Sequence, residues 1–205
     1  MSAVTLHLAS SSPRRQEILA ALGLTFSVGG VDVDERRLGE ESAETMVLRL
    51  AEAKARAVES RASRIVLGAD TAVVLGQEIF GKPADCDEAS KMLGRLSGRT
   101  HRVLTGVALC SERGLRTALS VTVVRFREIG PDEALAYWQS GEPCDKAGAY
   151  AIQGRGGVFV EAISGSYSGV VGLPVFETTR LLRDAGLEVL QANEVAVAST
   201  APSPG

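Results

Sequence analysis

Hydrophobic and polar positions change period repeatedly along the chain, and each change predicts an element. Val4-Thr5-Leu6-His7-Leu8-Ala9 alternates with period two and is rich in β formers, which predicts a strand. The alternation breaks at Ser10-Ser11-Ser12-Pro13 and turns helical from Arg14 to Leu22, closed by Gly23, with Ser12 at the N-cap position and Pro13 at the first helical one. Thr25 to Val28 predicts a second strand, followed by the acidic turn Val31-Asp32-Val33-Asp34-Glu35. Ser42 caps a long helix expected to run through Arg61, with Met46, Leu50, Ala53 and Ala57 as its apolar face.

Ile65-Val66-Leu67 and Ala72-Val73-Val74-Leu75 have the continuous apolar character of a buried strand, interrupted by the polar pair Asp70-Thr71. An Asp-capped helix is expected from Cys86 to Leu96, stopping at Gly98. Arg102 to Leu109 and Leu115 to Phe126 predict a hairpin turning at Glu112-Arg113-Gly114. Pro131 to Gln139 predicts a short helix ended by Gly141, and Pro174 to Ala185 a last helix stopped by Gly186. Between them, Lys146 to Gly172 is dense in glycine, and Gly154-Arg155-Gly156-Gly157 reads as a hairpin turn. The segment beyond Leu190 is poor in charge and aromatics, so residues 1–191 are expected to form one domain and residues 192–205 a flexible tail.

Composition narrows the class. With 22 Lys+Arg against 25 Asp+Glu the formal net charge is −3, which removes the basic excess that nucleic-acid or membrane-surface binding needs. No run reaches the ~20 apolar residues of a membrane span, and the N-terminus lacks the basic region of a signal peptide, so a cytoplasmic location is expected. Three widely spaced cysteines, Cys86, Cys110 and Cys144, and two histidines argue against a zinc site or a disulfide framework. Glycine is in excess, at 22 of 205 residues against a usual ~7%.

The candidate chemistry lies at element ends. Ser10-Ser11-Ser12-Pro13-Arg14-Arg15 combines hydroxyls, free backbone N–H groups and two guanidiniums at a helix N-terminus, a setting suited to phosphate. Arginine there opposes the helix dipole by about 0.3–1 kcal/mol each, a cost a bound anion would offset. Asp70 inside an apolar strand requires a partner or a task, because an unpaired buried carboxylate is costly. Beside cations or a metal it would stay ionised and act as a base or a ligand. Asp32, Asp34 and Glu35 offer a second carboxylate. Lys54 and Lys82 are compatible with either a surface or a site role, and Asp145-Lys146 with a simple ion pair. Gly165-Ser166-Tyr167-Ser168-Gly169 has tyrosine where a nucleophile elbow needs serine, which disfavours a serine hydrolase. The residues alone thus indicate an α/β phosphate-site protein.

Six ordered segments resemble the Maf family of nucleoside triphosphate pyrophosphatases: LASSSPRRQEIL (Leu8 to Leu19), ESAETMVLRLAEAKA (Glu41 to Ala55), GADTAVVLGQEIFGKPAD (Gly68 to Asp85), LSGRTHRVLTGVAL (Leu96 to Leu109), SGEPCDKAGAYAIQG (Ser140 to Gly154) and GSYSGVVGLP (Gly165 to Pro174). The resemblance implies an inosine-triphosphatase-like α/β fold, with a mixed twisted sheet, flanking helices and two lobes around a central cleft. It implies hydrolysis between the α- and β-phosphates with a divalent metal, Mg²⁺ or Mn²⁺. On this resemblance Asp70 is the base that activates water, and Arg15, Lys54 and Lys82, beside Ser10 and Ser12, hold the triphosphate. Glu35 matches the family's metal-binding acid together with Asp70, with Asp34 as the neighbouring register. Arg14, Thr71 and Gln153 match the subgroup acting on dTTP and UTP. The subgroup directed at 7-methyl-GTP carries a tryptophan after Ser-Pro and acids at the other two positions. Gly169 departs from the family, which more often has a polar residue there.

The resemblance also implies a homodimer, with a nucleoside triphosphate as the partner molecule and neither nucleic acid nor membrane. Modified pyrimidine nucleotides form a further substrate class, and a nucleotide-binding regulator of cell division with little turnover is the competing function. The glycines between Gly148 and Gly172 are expected along the nucleotide cleft, where close backbone approach needs residues without a Cβ.

Overall fold

A computed structural model describes residues 5–58 and 64–190 of the chain. Among these residues seven strands, β1 (Thr5–Leu8), β2 (Phe26–Val28), β3 (Arg64–Leu75), β4 (Glu78–Phe80), β5 (Thr100–Ser111), β6 (Gly114–Phe126) and β7 (Val160–Ser164), join in one sheet of order β2-β1-β3-β5-β6-β7, with β4 also on β3. β1 runs parallel to β2 and β3, and the remaining pairs are antiparallel. Six α-helices of the described residues flank the sheet: α1 (Pro13–Ala21), α2 (Ala43–Arg56), α3 (Cys86–Leu96), α4 (Pro131–Gln139), α5 (Tyr167–Val171) and α6 (Val175–Asp184). This is the α/β architecture expected, a mixed sheet with flanking helices.

Two buried clusters occupy the two ends of the long strands. One gathers Leu8, Leu19, Leu67, Val107 and Leu182, and the other Phe80, Leu93, Val124, Phe126 and Phe159. Along β3, Ile65, Leu67 and Ala69 belong to the first and Val73 to the second, so Thr71 lies at the junction. Each cluster buries a separate set of helices, which gives two lobes sharing one sheet.

The edge of β3 opposite β5 explains the cleft between the lobes. β1 covers that edge only from Arg64 to Leu67, with Ala9 N–H donating to Leu67 O, and β4 covers it only from Val73 to Leu75. Among the described residues, Gly68 to Ala72 therefore has no strand neighbour on this side. Successive side chains of a strand point to opposite faces. At an open edge both faces reach the same solvent space, and Asp70 and Thr71 do so here.

Several expectations are corrected. The helix after Ser42 ends at Arg56 with Ala57 as its C-cap, well short of Arg61, which falls with residues 59–63 outside the described set. Its buried face is Ala43, Val47, Leu50, Ala51, Lys54 and Ala55, so of the expected Met46, Leu50, Ala53 and Ala57 it includes Leu50 alone. In an alanine-rich segment several stripes look equally apolar, and packing on the sheet chooses among them. β3, by contrast, carries the polar pair Asp70-Thr71 inside a single strand, as expected. Gly154 to Gly157 is no hairpin: a 3₁₀ turn, Arg155–Phe159, leads into β7. The expected tail lies outside the described residues.

The glycine expectation fails in its main part. Within Gly148 to Gly172 only Gly172 lines the cleft. A Cβ at Gly148 would lie 3.0 Å from Val73, at Gly156 2.5 Å from the Tyr137 hydroxyl, and at Gly165 2.8 Å from Thr122 Oγ1, so these glycines serve packing. At Gly169, where the family more often has a polar residue, a Cβ would lie 3.1 Å from Ser166 Cβ and 3.2 Å from Ser120 Oγ, a tight fit.

Candidate active site

The cleft, about 890 Å³ in volume, is lined by Ser10, Ser12, Arg14, Arg15, Glu35, Lys54, Asp70, Thr71, Lys82 and Gln153, but not by the other candidate acids Asp32 and Asp34. Arg37 and Lys146 add two cations, and Glu78 and Asp145 two acids, that sequence reasoning did not place there. Cations outnumber acids along the walls, although the chain as a whole is slightly acidic.

Asp70 is positioned by close contact between α2 and the sheet. At Gly68 a Cβ would fall 2.3 Å from Ala51 O, and at Gly106 2.5 Å from Val47 O. Strand glycines of this kind mark a close backbone approach. With α2 so near, Lys54, itself only 8% exposed, places Nζ 2.7 Å from Asp70 Oδ1 and 2.6 Å from Glu35 Oε1. Asp70 Oδ2 makes no hydrogen bond among the described residues.

The charges shift as this arrangement dictates. Burial pushes the Asp70 carboxyl above its ordinary range, against the opposing pull of Lys54 and Arg15. Burial also raises Glu35, but the Lys54 hydrogen bond and the charges of Lys54, Lys82 and Arg15 outweigh it, and Glu35 stays below its usual value. The two acids thus differ: Glu35 is the firmer anion and Asp70 the stronger base. Of the acids in the turn, Glu35 is the one at the cleft. Asp34 instead takes a bidentate bond from Arg36, at 2.9 and 2.7 Å, on the exposed side.

Thr71 leaves β3 towards α1. Its Oγ1 lies 3.0 Å from Thr105 Oγ1 and 3.4 Å from Arg15 Nη2. Arg15 also donates to Gly172 O at 2.9 Å and Ser10 Oγ at 3.1 Å, so its guanidinium is fixed from three sides. Burial lowers its pKa, with Asp70 opposing. Ser12 stands at the N-cap of α1, but its side chain makes no capping bond. The helix N-terminus therefore keeps its donors. Ser10 Oγ accepts from Ser12 N–H at 3.2 Å, which shapes the loop.

On the far wall, Arg14 Nη1 donates to Asp145 Oδ2 at 3.2 Å, and Asp145 also pairs with Lys146. Asp145-Lys146 is thus an ion pair, as one sequence reading had it, but one extended to Arg14 across the cleft. Lys82 and Gln153 are exposed there, and neither makes a hydrogen bond or ion pair among the described residues. Ser166, in the glycine-flanked run, caps α5 through Gly169 N–H.

No group of three His, Cys, Asp or Glu side chains suited to a metal occurs among the described residues. Glu35 and Asp70 present hard oxygen donors that converge on one ammonium. That set fits an ion such as Mg²⁺, which takes one or two carboxylates and draws its other ligands from phosphate and water. No helix of the described residues is long and apolar enough to cross a membrane.

A family model described as "Maf-like protein" matches residues 5–185. A dTTP/UTP pyrophosphatase of Hahella chejuensis is 52% identical over 188 residues, 90% of this chain and 94% of that protein. A dTTP/UTP pyrophosphatase of Methylococcus capsulatus is 55% identical over 184 residues, covering 89% and 91%. Among solved structures, the Staphylococcus aureus Ham1 protein aligns with a TM-score of 0.44 at 14% identity, over 60% of this chain and 71% of that one. The chain belongs to the Maf-like protein family.

Proposed function

We propose that this chain is a nucleoside triphosphate pyrophosphatase that hydrolyses dTTP and UTP to the monophosphate and pyrophosphate. The observation that carries the reading is a cleft in which a buried carboxylate, Asp70, keeps one oxygen unbonded among the described residues, beside Lys54 and among cations in excess. Support for the substrate class comes from the relatives of that name at above 50% identity over nearly the whole chain.

In this reading the triphosphate lies against the N-terminus of α1, with Arg15 held in place by Ser10, Thr71 and Gly172, and with Lys82 free to move onto it. Charge-assisted hydrogen bonds of this kind contribute about 1.5–3 kcal/mol each. Water adds to phosphorus at the α–β bridge while Asp70 Oδ2 accepts its proton; the bridging P–O bond breaks and its electron pair leaves on pyrophosphate. Lys54 keeps Asp70 oriented, and the positive walls stabilise the charge developing on the leaving group. Glu35 and Asp70 would hold a divalent cation, Mg²⁺ or Mn²⁺, which when bound neutralises phosphate charge. Arg14, oriented by Asp145, and Gln153, whose amide both donates and accepts, read the pyrimidine. Thr71 enters less directly than a base contact, through its bond to Arg15.

A homodimer in the cytoplasm belongs to the same proposal, tested by sedimentation velocity and cell fractionation. The decisive assay is pyrophosphate release from dTTP, UTP, CTP, their 5-methyl forms and purine triphosphates, with Mg²⁺ or Mn²⁺. Turnover greatest on dTTP and UTP supports the reading, and a 5-methyl form leading would assign modified pyrimidines. Tight binding of a triphosphate without turnover over hours would instead favour a regulator of cell division.

A further inference from the structure

Gln153 faces the cleft without a hydrogen bond of its own among the described residues, so the backbone that carries it sets its position. That backbone is held from beneath by two side chains outside the cleft. Tyr137, 6% exposed on α4, donates its hydroxyl to Glu142 Oε1 at 2.6 Å and accepts from Ala151 N–H at 3.0 Å. Glu142, on the 3₁₀ turn Glu142–Asp145, accepts from Gly156 N–H at 3.0 Å on Oε1 and from Arg155 N–H at 2.9 Å on Oε2. Three amides, two residues before Gln153 and two and three after it, thus end on one pair of side chains. The segment is pressed onto that pair: a Cβ at Gly154 would lie 2.3 Å from Glu142 Oε2, and one at Gly156 2.5 Å from the Tyr137 hydroxyl. Burial raises the Glu142 carboxyl, but the Tyr137 hydroxyl and the two N–H groups bring it below its ordinary value, so it accepts as an anion.

We propose that Tyr137 and Glu142 are positioning residues for nucleobase selection, fixing the 151–156 segment so that the Gln153 amide is presented to the base at one height and angle. The inference rests on the reading of Gln153 as a base-contacting residue. Binding groups must be held to within a fraction of an ångström for their hydrogen bonds to discriminate, and such support comes from the layer behind them. Neither residue touches the triphosphate path, so their loss would alter which nucleotide is preferred more than whether hydrolysis occurs.

The test uses the full chain with Tyr137→Phe, which removes only the hydroxyl, Glu142→Gln, which keeps the shape and removes the charge, and Gln153→Ala as the reference. For each, kcat and KM are measured for dTTP, dCTP and dGTP, with thermal melting as a check on folding. Both clamp variants are expected to lower the kcat/KM preference for dTTP by about tenfold, the scale of one well-placed hydrogen bond. Gln153→Ala is expected to lose at least as much, and Tyr137→Phe combined with it to lose no more. An unchanged preference in both clamp variants, beside a lowered one in Gln153→Ala, would overturn the proposal and leave Gln153 standing. An equal fall on all three nucleotides would overturn it in favour of a purely structural role. An unchanged preference in Gln153→Ala would remove the reading of Gln153 and the clamp with it.

Discussion

Asp70 and Gly106 face each other across the β3–β5 ladder, and the side chain missing at Gly106 lets α2 approach the sheet over the site carboxylate. Gly68, two residues before Asp70 on the same face, does the same one turn further along, against Ala51 and Ala55. Lys54 reaches Asp70 because the helix lies this low.

Gly106→Ala and Gly68→Ala are therefore expected to act in two ways. Each places a methyl group within 2.5 Å of helix backbone, a contact that no rotamer relieves, so α2 must lift. Overpacking of this kind costs about 1–3 kcal/mol, or more where backbone must move. Urea denaturation reads that loss. Pyrophosphate release under conditions where the variants remain folded is expected to fall as well, since Lys54 rises with the helix. Full activity in a folded Gly106→Ala protein would show that the height of α2 does not matter to the site.

Asp70→Asn removes the base and keeps the shape. General-base contributions are about 10²–10⁴-fold, and kcat is expected to drop by that amount while nucleotide binding, followed by calorimetry, persists. A variant that binds and still turns over at the native rate would place the base elsewhere.

How far the sequence disclosed this site depended on contrast. Asp70 was visible because a carboxylate inside an apolar run is chemically out of place, and Arg14 and Arg15 because they oppose a helix dipole. Lys54 lacked such a signal: its neighbours are alanines, whose small side chains mark no face, and only the close approach at Gly68 and Gly106 shows that Lys54 points inward. β4, three residues between Gly76 and Gly81, was too short for its period to register, yet its end defines one margin of the open β3 edge. Tyr137 and Glu142 carried no signal, since their contacts with the 151–156 segment are made only by folding. The glycines of Gly148 to Gly172 misled because absent side chains serve packing and ligand approach alike.

The pH dependence of the activity follows from the shift of Asp70. The residue acts when deprotonated, and burial raises its pKa, so kcat/KM is expected to fall with acidification at a pH above the ordinary carboxylate range. Lys54 opposes that shift. Lys54→Met should accordingly move the acid limb to higher pH, besides lowering the rate. A limb that stays in place in Lys54→Met, measured at fixed divalent cation, would assign the titration to another group.

Stability at mildly acidic pH is expected to depend on His101, far from the phosphates. Its ring is 1% exposed, packs edge-on to Phe126 at 4.8 Å, and shares a 2.9 Å hydrogen bond with the Tyr150 hydroxyl through Nε2, while Nδ1 has no partner among the described residues. Burial alone lowers its pKa from 6.5 to about 4. Between those values the unfolded chain binds a proton that the folded one excludes, so stability rises with pH across the window. The contribution is complete above pH 6.5, shrinks as pH falls, and levels out below about 4, where both states are protonated. At ~1.4 kcal/mol per unit the full change is on the order of 3 kcal/mol. Urea melts of the native protein and of His101→Gln, at several values between pH 4 and 7, isolate it, because carboxylates common to both cancel in the difference. The native protein is expected to lose stability relative to the variant as pH falls through the window. A pH-independent difference would mean that the imidazole is not excluded from protonation by the core.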